Sequence, residues 1–262
     1  MVSLTIAREV DVLVERSLRR TVRNRGLLIS YLFAPLLYLL IFTKVFGSVG
    51  EFPNFQKLGY SSYLQFFVPG LLVMSVLQPA LTSGLAMVTD IYTGVLDSFL
   101  RTPVHRSAIL LGRLVADAIR MILQVTLLLV LALVLGAQFR TGIGGAVLIV
   151  FLVTLFGVSI ASFSNWIGLR TRKIESTGAL SNLLVLPLTF ASTIFMPRAL
   201  MPGWLRTAVL FNPITYVVDA CRTLTTVGYV AGPVLRGVGA TFGLAIFLIG
   251  GATLEYRRNT GQ

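Results

Sequence analysis

Apolar residues run along this chain in long blocks rather than in alternation, and six of the blocks approach the length of a bilayer crossing. A hydrocarbon core about 30 Å thick takes roughly 20 helical residues. Leu27–Phe46, Leu64–Val88, Leu114–Leu135, Gly144–Leu169, Gly178–Met196 and Val234–Leu254 reach that length to within a few residues. They consist of Leu, Val, Ile and Phe with interspersed Gly, and lack the period-two alternation of a barrel strand. The expected fold is therefore an all-α integral membrane protein with six transmembrane helices. Arginines precede the first block, as in a signal peptide. The block is too long for the apolar part of such a segment, and no small-residue cleavage site follows closely, so it reads as an uncleaved helix.

Between the blocks the pattern becomes amphipathic. Over residues 4–25, Val10, Leu13, Val14, Leu18 and Val22 recur at helical spacing, and Glu15 stands four residues before Arg19 on the polar face. This predicts an N-terminal interface helix lying on anionic lipid, with a face open to a partner. From Asp90 to Arg101 a second helix is predicted, with Ile91, Val95 and Phe99 on one face and Asp90, Asp97 and Arg101 on the other. Gly94 falls in its middle, where glycine costs about 1 kcal/mol relative to Ala, so it is read as a point of close backbone approach. Thr102-Pro103 ends the segment and Ser107 caps the next helix. Leu205–Thr226 is long enough for a seventh span. Arg206, Asp219 and Arg222 argue against it, at about 2.5–3.5 kcal/mol per mid-membrane charge, and Asn212-Pro213 divides it. A re-entrant helical hairpin is expected instead, entered through Pro202-Gly203 and anchored by Trp204.

Composition agrees with this class. The chain has 262 residues, 55% hydrophobic and only 12% charged, against about 25% charged in soluble domains. The net charge of +12 raises the question of nucleic acid, which the placement of the charges answers. Arg8, Arg16, Arg19, Arg20, Arg23 and Arg25 precede span one, Arg101, Arg106 and Arg113 follow span two, Arg170, Arg172 and Lys173 follow span four, and Arg257 and Arg258 follow span six. With six spans these all lie on one side, which the positive-inside bias makes cytoplasmic. Lys57, Arg140, Arg198, Arg206 and Arg222 remain outside. The basic charge is thus a topology signal, and no nucleic-acid partner is expected. The chain reads as one membrane domain, 1–262, in the cell membrane with both termini cytoplasmic. It divides into an interface helix (1–26), spans one to five (27–197), an extracellular hairpin (198–232), and span six with its tail (233–262).

The chemistry is mostly exclusion. Cys221 and His105 are the only residues of their kinds, which removes disulfides, most zinc sites and a Ser-His-Asp hydrolase. None of the three lysines follows a glycine, so no phosphate-binding P-loop exists, and neither H-E-x-x-H nor G-x-S-x-G occurs. Arg106, Arg113, Asp117, Arg120 and Gln124 share one helical face at the start of span three. Arg120 lies 16 residues before Gly136, about 24 Å along a helix, which places it near the inner interface. Arg113, Asp117 and Arg120 are therefore expected to pair with one another at the cytoplasmic edge rather than form a midplane proton path. The spans offer no evident midplane acid, so any energy must arrive through a partner. Pro79 and Pro187 are expected to bend spans two and five, and Gly239-x-x-x-Gly243 offers a close-packing site in span six.

Three stretches carry a family likeness. "YLQFFVPGLLVMSV" entering span two, "DIYTGVLDSFLRTPVHRSAILLGRLVAD" after it, and "FNPITYVVDACRTL" before span six resemble the ABC type-2 transporter permeases, and among them the daunorubicin/doxorubicin-resistance type of bacterial drug exporter. The likeness is detailed over about residues 60–226 and is most specific around Gly94, Arg101, Pro103, Gly112 and Arg113. It implies a six-span permease subunit that moves lipophilic or amphiphilic compounds out of the cytoplasm or inner leaflet. The chain itself would carry no cofactor. ATP and Mg would be bound by two copies of a separate ATP-binding subunit, and a second or paralogous permease would complete the unit, with spans one and five at the seam. The likeness further implies that Asp90, Ile91, Gly94, Val95, Asp97, Phe99, Arg101 and Pro103 belong to a helix coupling the permease to the ATPase. Trp204, Asn212, Pro213, Tyr216 and Arg222 would belong to the family's outer hairpin. The alternative, a passive or ion-coupled channel or carrier, lacks the midplane ionisable residues such a protein needs.

Overall fold

The computed structural model describes residues 11, 14–15, 25–48, 60, 62–95, 106–137 and 139–260. These are helical or irregular throughout, with no strand among them. In chain order the helices are α1 (Arg25–Val45), α2 (Tyr63–Ser75), α3 (Leu77–Tyr92), α4 (Arg106–Val134), α5 (Gly142–Thr171), α6 (Ile174–Phe190), α7 (Gly203–Ala208), α8 (Pro213–Thr226) and α9 (Ala231–Thr260), with a 3-10 turn at Arg198–Leu200 before α7. Four stretches are long and apolar enough to cross a bilayer: Tyr63–Tyr92, Ile109–Val134, Gly142–Thr171 and Ala231–Tyr256. They contain expected spans two, three, four and six. Expected span one falls in α1, with the apolar stretch Phe33–Val45. The N-terminal interface helix lies outside the described residues except for Asp11, Val14 and Glu15, which are helical.

α5 is the central post. It packs against α3, α4, α6, α8 and α9, and Ile149, Leu152, Val153, Phe156 and Ala161 are buried on it from end to end. α3 and α5 touch backbone to backbone at Gly84. A Cβ there would stand under 3.0 Å from both the hydroxyl and the carbonyl of Ser164, so only glycine admits the crossing. α1 and α6 lie at the edge and leave Phe33, Leu40, Ile41, Leu183, Leu184 and Phe190 uncovered. In water such a surface would be a liability; in lipid it costs nothing. Among the described residues nothing lies within 4 Å of a Cβ at Gly239 or Gly243 on α9.

The helices are interrupted near Pro79 and end soon after Pro187, and one span needs correction. The line from Tyr63 to Tyr92 breaks at Val76, three residues before Pro79. Pro79 has no N–H, so the Ser75 carbonyl loses its i+4 donor. Gln124 of α4 donates to that carbonyl instead, at 3.1 Å. Span five was expected to reach Met196, but α6 stops at Phe190 and the next residues are irregular. Pro187 removes a donor in the last turn, and side chains take up the terminal carbonyls: Ser192 Oγ donates to Thr189 at 2.6 Å, and Asn212 Nδ2 to Leu188 and Ala191. The 17 residues of α6 rise about 25 Å, a little less than a hydrocarbon core.

The Gly84 crossing gives a direct test. Gly84→Ala is expected to destabilise the folded chain by about 1–3 kcal/mol or more through overpacking. Gly178→Ala, whose Cβ would meet only Leu85 Cδ2 at 3.6 Å, should change little. Thermal unfolding in detergent distinguishes them, and equal melting of the two variants would contradict the contact.

Candidate functional site

At one end of the bundle, α3 finishes on a local signal. Thr93 donates to the Thr89 carbonyl through its N–H and its hydroxyl, both at 2.9 Å, and the Gly94 N–H reaches Ile91 at 3.2 Å. Gly94 has φ +69, the left-handed conformation that ends helices and suits a residue without Cβ. This corrects the single helix expected from Asp90 to Arg101. Asp90 and Ile91 are the last turn of α3, the chain redirects at Gly94, and helical conformation resumes at Val95. Ile91 and Val95 therefore do not share one continuous helical face. Among the described residues nothing lies within 4 Å of a Cβ at Gly94, and its positive φ accounts for the glycine. Asp97, Phe99, Arg101 and Pro103 lie outside the described residues, and so does the Asp97–Arg101 pair.

The charges beside this junction tie three helices together. Asp90 forms an ion pair with Arg113 of α4, whose Nη1 also donates to the Ser83 carbonyl at 3.4 Å. Asp117, 3% exposed, pairs with Arg120 and accepts from Ser83 Oγ at 2.5 Å. Ser83 Oγ in turn accepts from Asn165 Nδ2 of α5 at 3.0 Å. The expected cluster of Arg113, Asp117 and Arg120 thus divides: Arg113 turns to α3, and only Asp117 and Arg120 pair. A lone buried carboxylate would carry a penalty of several kcal/mol, which the guanidinium and the hydroxyl offset. Ser83 and Asn165 were missed from the sequence, where each is one polar residue in an apolar block. The network holds helices in register. It contains no nucleophile–base pair, and no group of metal-ligating side chains occurs among the described residues.

The opposite end is organised by residues 191–236. Asn212 joins two helix termini: its Oδ1 accepts from the Ile214 N–H at 2.9 Å as the N-cap of α8, and its Nδ2 donates to Leu188 and Ala191 at the end of α6, both at 2.6 Å. Pro213 takes the first helical position, where its missing N–H is not needed. Tyr216 donates its hydroxyl to Leu210 at 2.6 Å and closes the turn between α7 and α8. Trp204 stands 73% exposed on α7. Arg222 is 5% exposed. Its Nε donates to Phe66 of α2 at 3.3 Å, Nη2 to Thr193 at 2.8 Å and Nη1 to Asp219 at 3.1 Å, and the guanidinium lies 4.0 Å from the Phe66 ring centre. Thr193 Oγ1 also donates to Asp219, at 2.8 Å. Burial raises the Tyr60 phenol above its ordinary range, with Arg222 pulling the other way, so Tyr60 stays protonated. These groups border a cavity of about 560 Å³, which Arg198 and Arg236 also line. Arg236 was overlooked in the sequence because it sits in the first turns of an otherwise apolar span.

Comparison with known proteins gives a consistent result. A family model described as "ABC-2 type transporter" matches residues 8–225. The chain is 32% identical over 197 residues to the "Daunorubicin resistance ABC transporter permease protein DrrB1" of Streptomyces coeruleorubidus, covering 75% of this chain and 68% of that protein. It is 24% identical over 243 residues to the "Probable doxorubicin resistance ABC transporter permease protein DrrC" of Mycobacterium tuberculosis, covering 93% and 86%. It is 26% identical over 193 residues to the "Inner membrane transport permease YadH" of Escherichia coli, covering 71% and 70%.

Asn212 offers a test of the hairpin geometry. Asn212→Asp keeps the capping acceptor and removes both donors to α6, whereas Asn212→Ala removes all three contacts. Loss of the cap alone costs about 0.5–2 kcal/mol. Both variants are expected to melt below the parent, with aspartate giving no full rescue. Complete rescue by aspartate would show that the bonds to Leu188 and Ala191 contribute nothing.

Proposed function

The chain belongs to the ABC-2 type transporter family as a multi-pass membrane permease subunit rather than an ATP-hydrolysing one, and from this premise we propose that it exports lipophilic or amphiphilic compounds using ATP hydrolysed elsewhere. Two copies of an ATP-binding subunit hold the nucleotide and Mg on the cytoplasmic side. A second permease, identical or paralogous, completes the path. The six spans are α1, the α2–α3 line, α4, α5, α6 and α9. Both termini are cytoplasmic, and the α7–α8 hairpin faces outward at the cell membrane. On the family likeness, α1 and α6 form the seam between copies.

One observation carries the coupling step. The chain leaves α3 at Gly94 within one turn of Asp90, and Asp90 is clamped to Arg113 of α4. Force applied to the segment after Gly94 therefore reaches spans two and three together. Gly94 acts as the joint between that segment and the span, and Val95 begins the surface offered to the ATPase.

Two experiments test this. Gly94→Val forces a β-branched residue to positive φ, where even an ordinary residue loses about 1–2 kcal/mol, and Gly94→Asn is better tolerated. Gly94→Val and Val95→Asp are expected to leave the permease inserted while reducing ATPase co-purification, or separating hydrolysis from efflux of daunorubicin used as a probe. Gly94→Asn should retain most activity and Lys57→Gln all of it. Normal co-purification and efflux in both disruptive variants would overturn the coupling role. For topology, cysteines placed at 57 and 204 should react with a membrane-impermeant maleimide in intact cells, and one at 257 should not. Native Cys221 is fully buried and contributes little background. Labelling at 257 from outside would refute the six-span arrangement.

A further inference from the structure

The cavity at the hairpin end gathers more positive charge than the fold uses. Arg198 on the 3-10 turn, Arg222 on α8 and Arg236 on α9 all line it, against one carboxylate among the described residues, Asp219. Asp219 spends one oxygen on Arg222 and Thr193. Arg198 and Arg236 are exposed and have no ion-pair partner among the described residues. Arg222 uses three of its N–H groups on protein acceptors, leaving others of its five unassigned.

The volume of about 560 Å³ is that of a small-molecule site. Its surroundings set the depth. Trp204, Phe211 and Tyr229 stand exposed around the hairpin, as aromatic residues do at the level of lipid headgroups. The anions concentrated at that depth are phosphate esters, and planar guanidinium forks match phosphate oxygens. Val209 and Leu210 in the lining give an acyl or other apolar portion a wall to lie on.

We propose that this cavity is a binding site for a phosphate-ester anion, held by Arg198, Arg222 and Arg236. The site is separate from the ATPase-coupling junction and holds whichever side of the bilayer the hairpin faces, so it stands or falls apart from the transport reading.

The test uses the full permease purified with its ATP-binding partner in detergent. It is titrated with dihexanoyl phosphatidylglycerol, dihexanoyl phosphatidylcholine, glycerol 3-phosphate and inorganic phosphate, and bound ligand is counted by native mass spectrometry. The anionic lipid is expected to bind. Arg198→Gln combined with Arg236→Gln should weaken that binding by about tenfold or more, as loss of charge-assisted hydrogen bonds predicts. Lys173→Gln, at the other end of the bundle, should not change it. Since Arg198 and Arg236 anchor nothing described in the fold, the double variant should melt like the parent. Binding of glycerol 3-phosphate as strong as that of the lipid identifies a dissolved ester as the ligand. Binding of the lipid alone identifies a headgroup with its chains. Equal binding of the zwitterionic lipid, no binding of any phosphate probe, or unchanged affinity in the double variant would overturn the proposal.

Discussion

A backbone carbonyl that loses its helical donor inside a bilayer has no water to turn to, and this constraint organises the polar residues of the whole chain. Several places where the helices are interrupted are matched by a side chain from another element. Gln124 crosses from α4 to the Ser75 carbonyl that Pro79 leaves without a donor. Asn212 reaches back from the hairpin to two carbonyls at the end of α6. Arg222 supplies the carbonyls of Phe66 and Thr193. These bonds run between residues far apart in sequence, so satisfying the backbone and fixing the tertiary arrangement are the same event. Dispersion then acts on helices already in register, as at Gly84 against Ser164.

The same logic explains why a membrane chain retains buried charge. Asp117 and Arg222 are costly to bury, and a hydrophobic pair of equal size could pack as well. What an apolar pair could not do is bind one helix to a defined partner. The Tyr63–Tyr92 line is held at both ends by such groups: Arg222 grips its first turn through Phe66, and Arg113 grips its last through Asp90. Between the clamps lies the break at Val76, spanned by Gln124. Span two is therefore two rods in line, each fastened to a different neighbour, α2 to the hairpin and α3 to α4.

What the sequence reveals follows from how local each signal is. The apolar blocks identify the spans because hydrophobic length is a property of consecutive residues. Asn212-Pro213 marks the start of α8 because an N-cap and a proline at the first helical position act within one turn. Gly94 was misread because the amphipathic spacing of Ile91, Val95 and Phe99 continues across it, and a glycine within such a pattern resembles a glycine that ends it. Only its φ separates the two. The end of α6 was placed too late because the groups that stop it, Ser192 and Asn212, lie beyond the apolar run. Ser83, Asn165 and Arg236 were invisible for the opposite reason: each is one polar residue in an apolar block, and its use depends on a partner from another helix.

A mechanical consequence joins these points. On the proposed reading, an ATP-binding subunit acts on the segment after Gly94, and α3 and α4 move together because Asp90 and Arg113 are paired. α2 does not have to follow rigidly. Its first turn is fixed to the hairpin by Arg222, and the helical hydrogen bonding that would make α2 and α3 one rod is interrupted at Ser75. A hydrogen bond from Gln124 can lengthen or re-form at far lower cost than a continuous helix can bend, since bending would strip several backbone bonds in a medium without water. The interruption at Val76 is thus the place where motion imposed at one end of span two can be taken up before it reaches the other. The proline that creates it and the glutamine that spans it are best understood as one device.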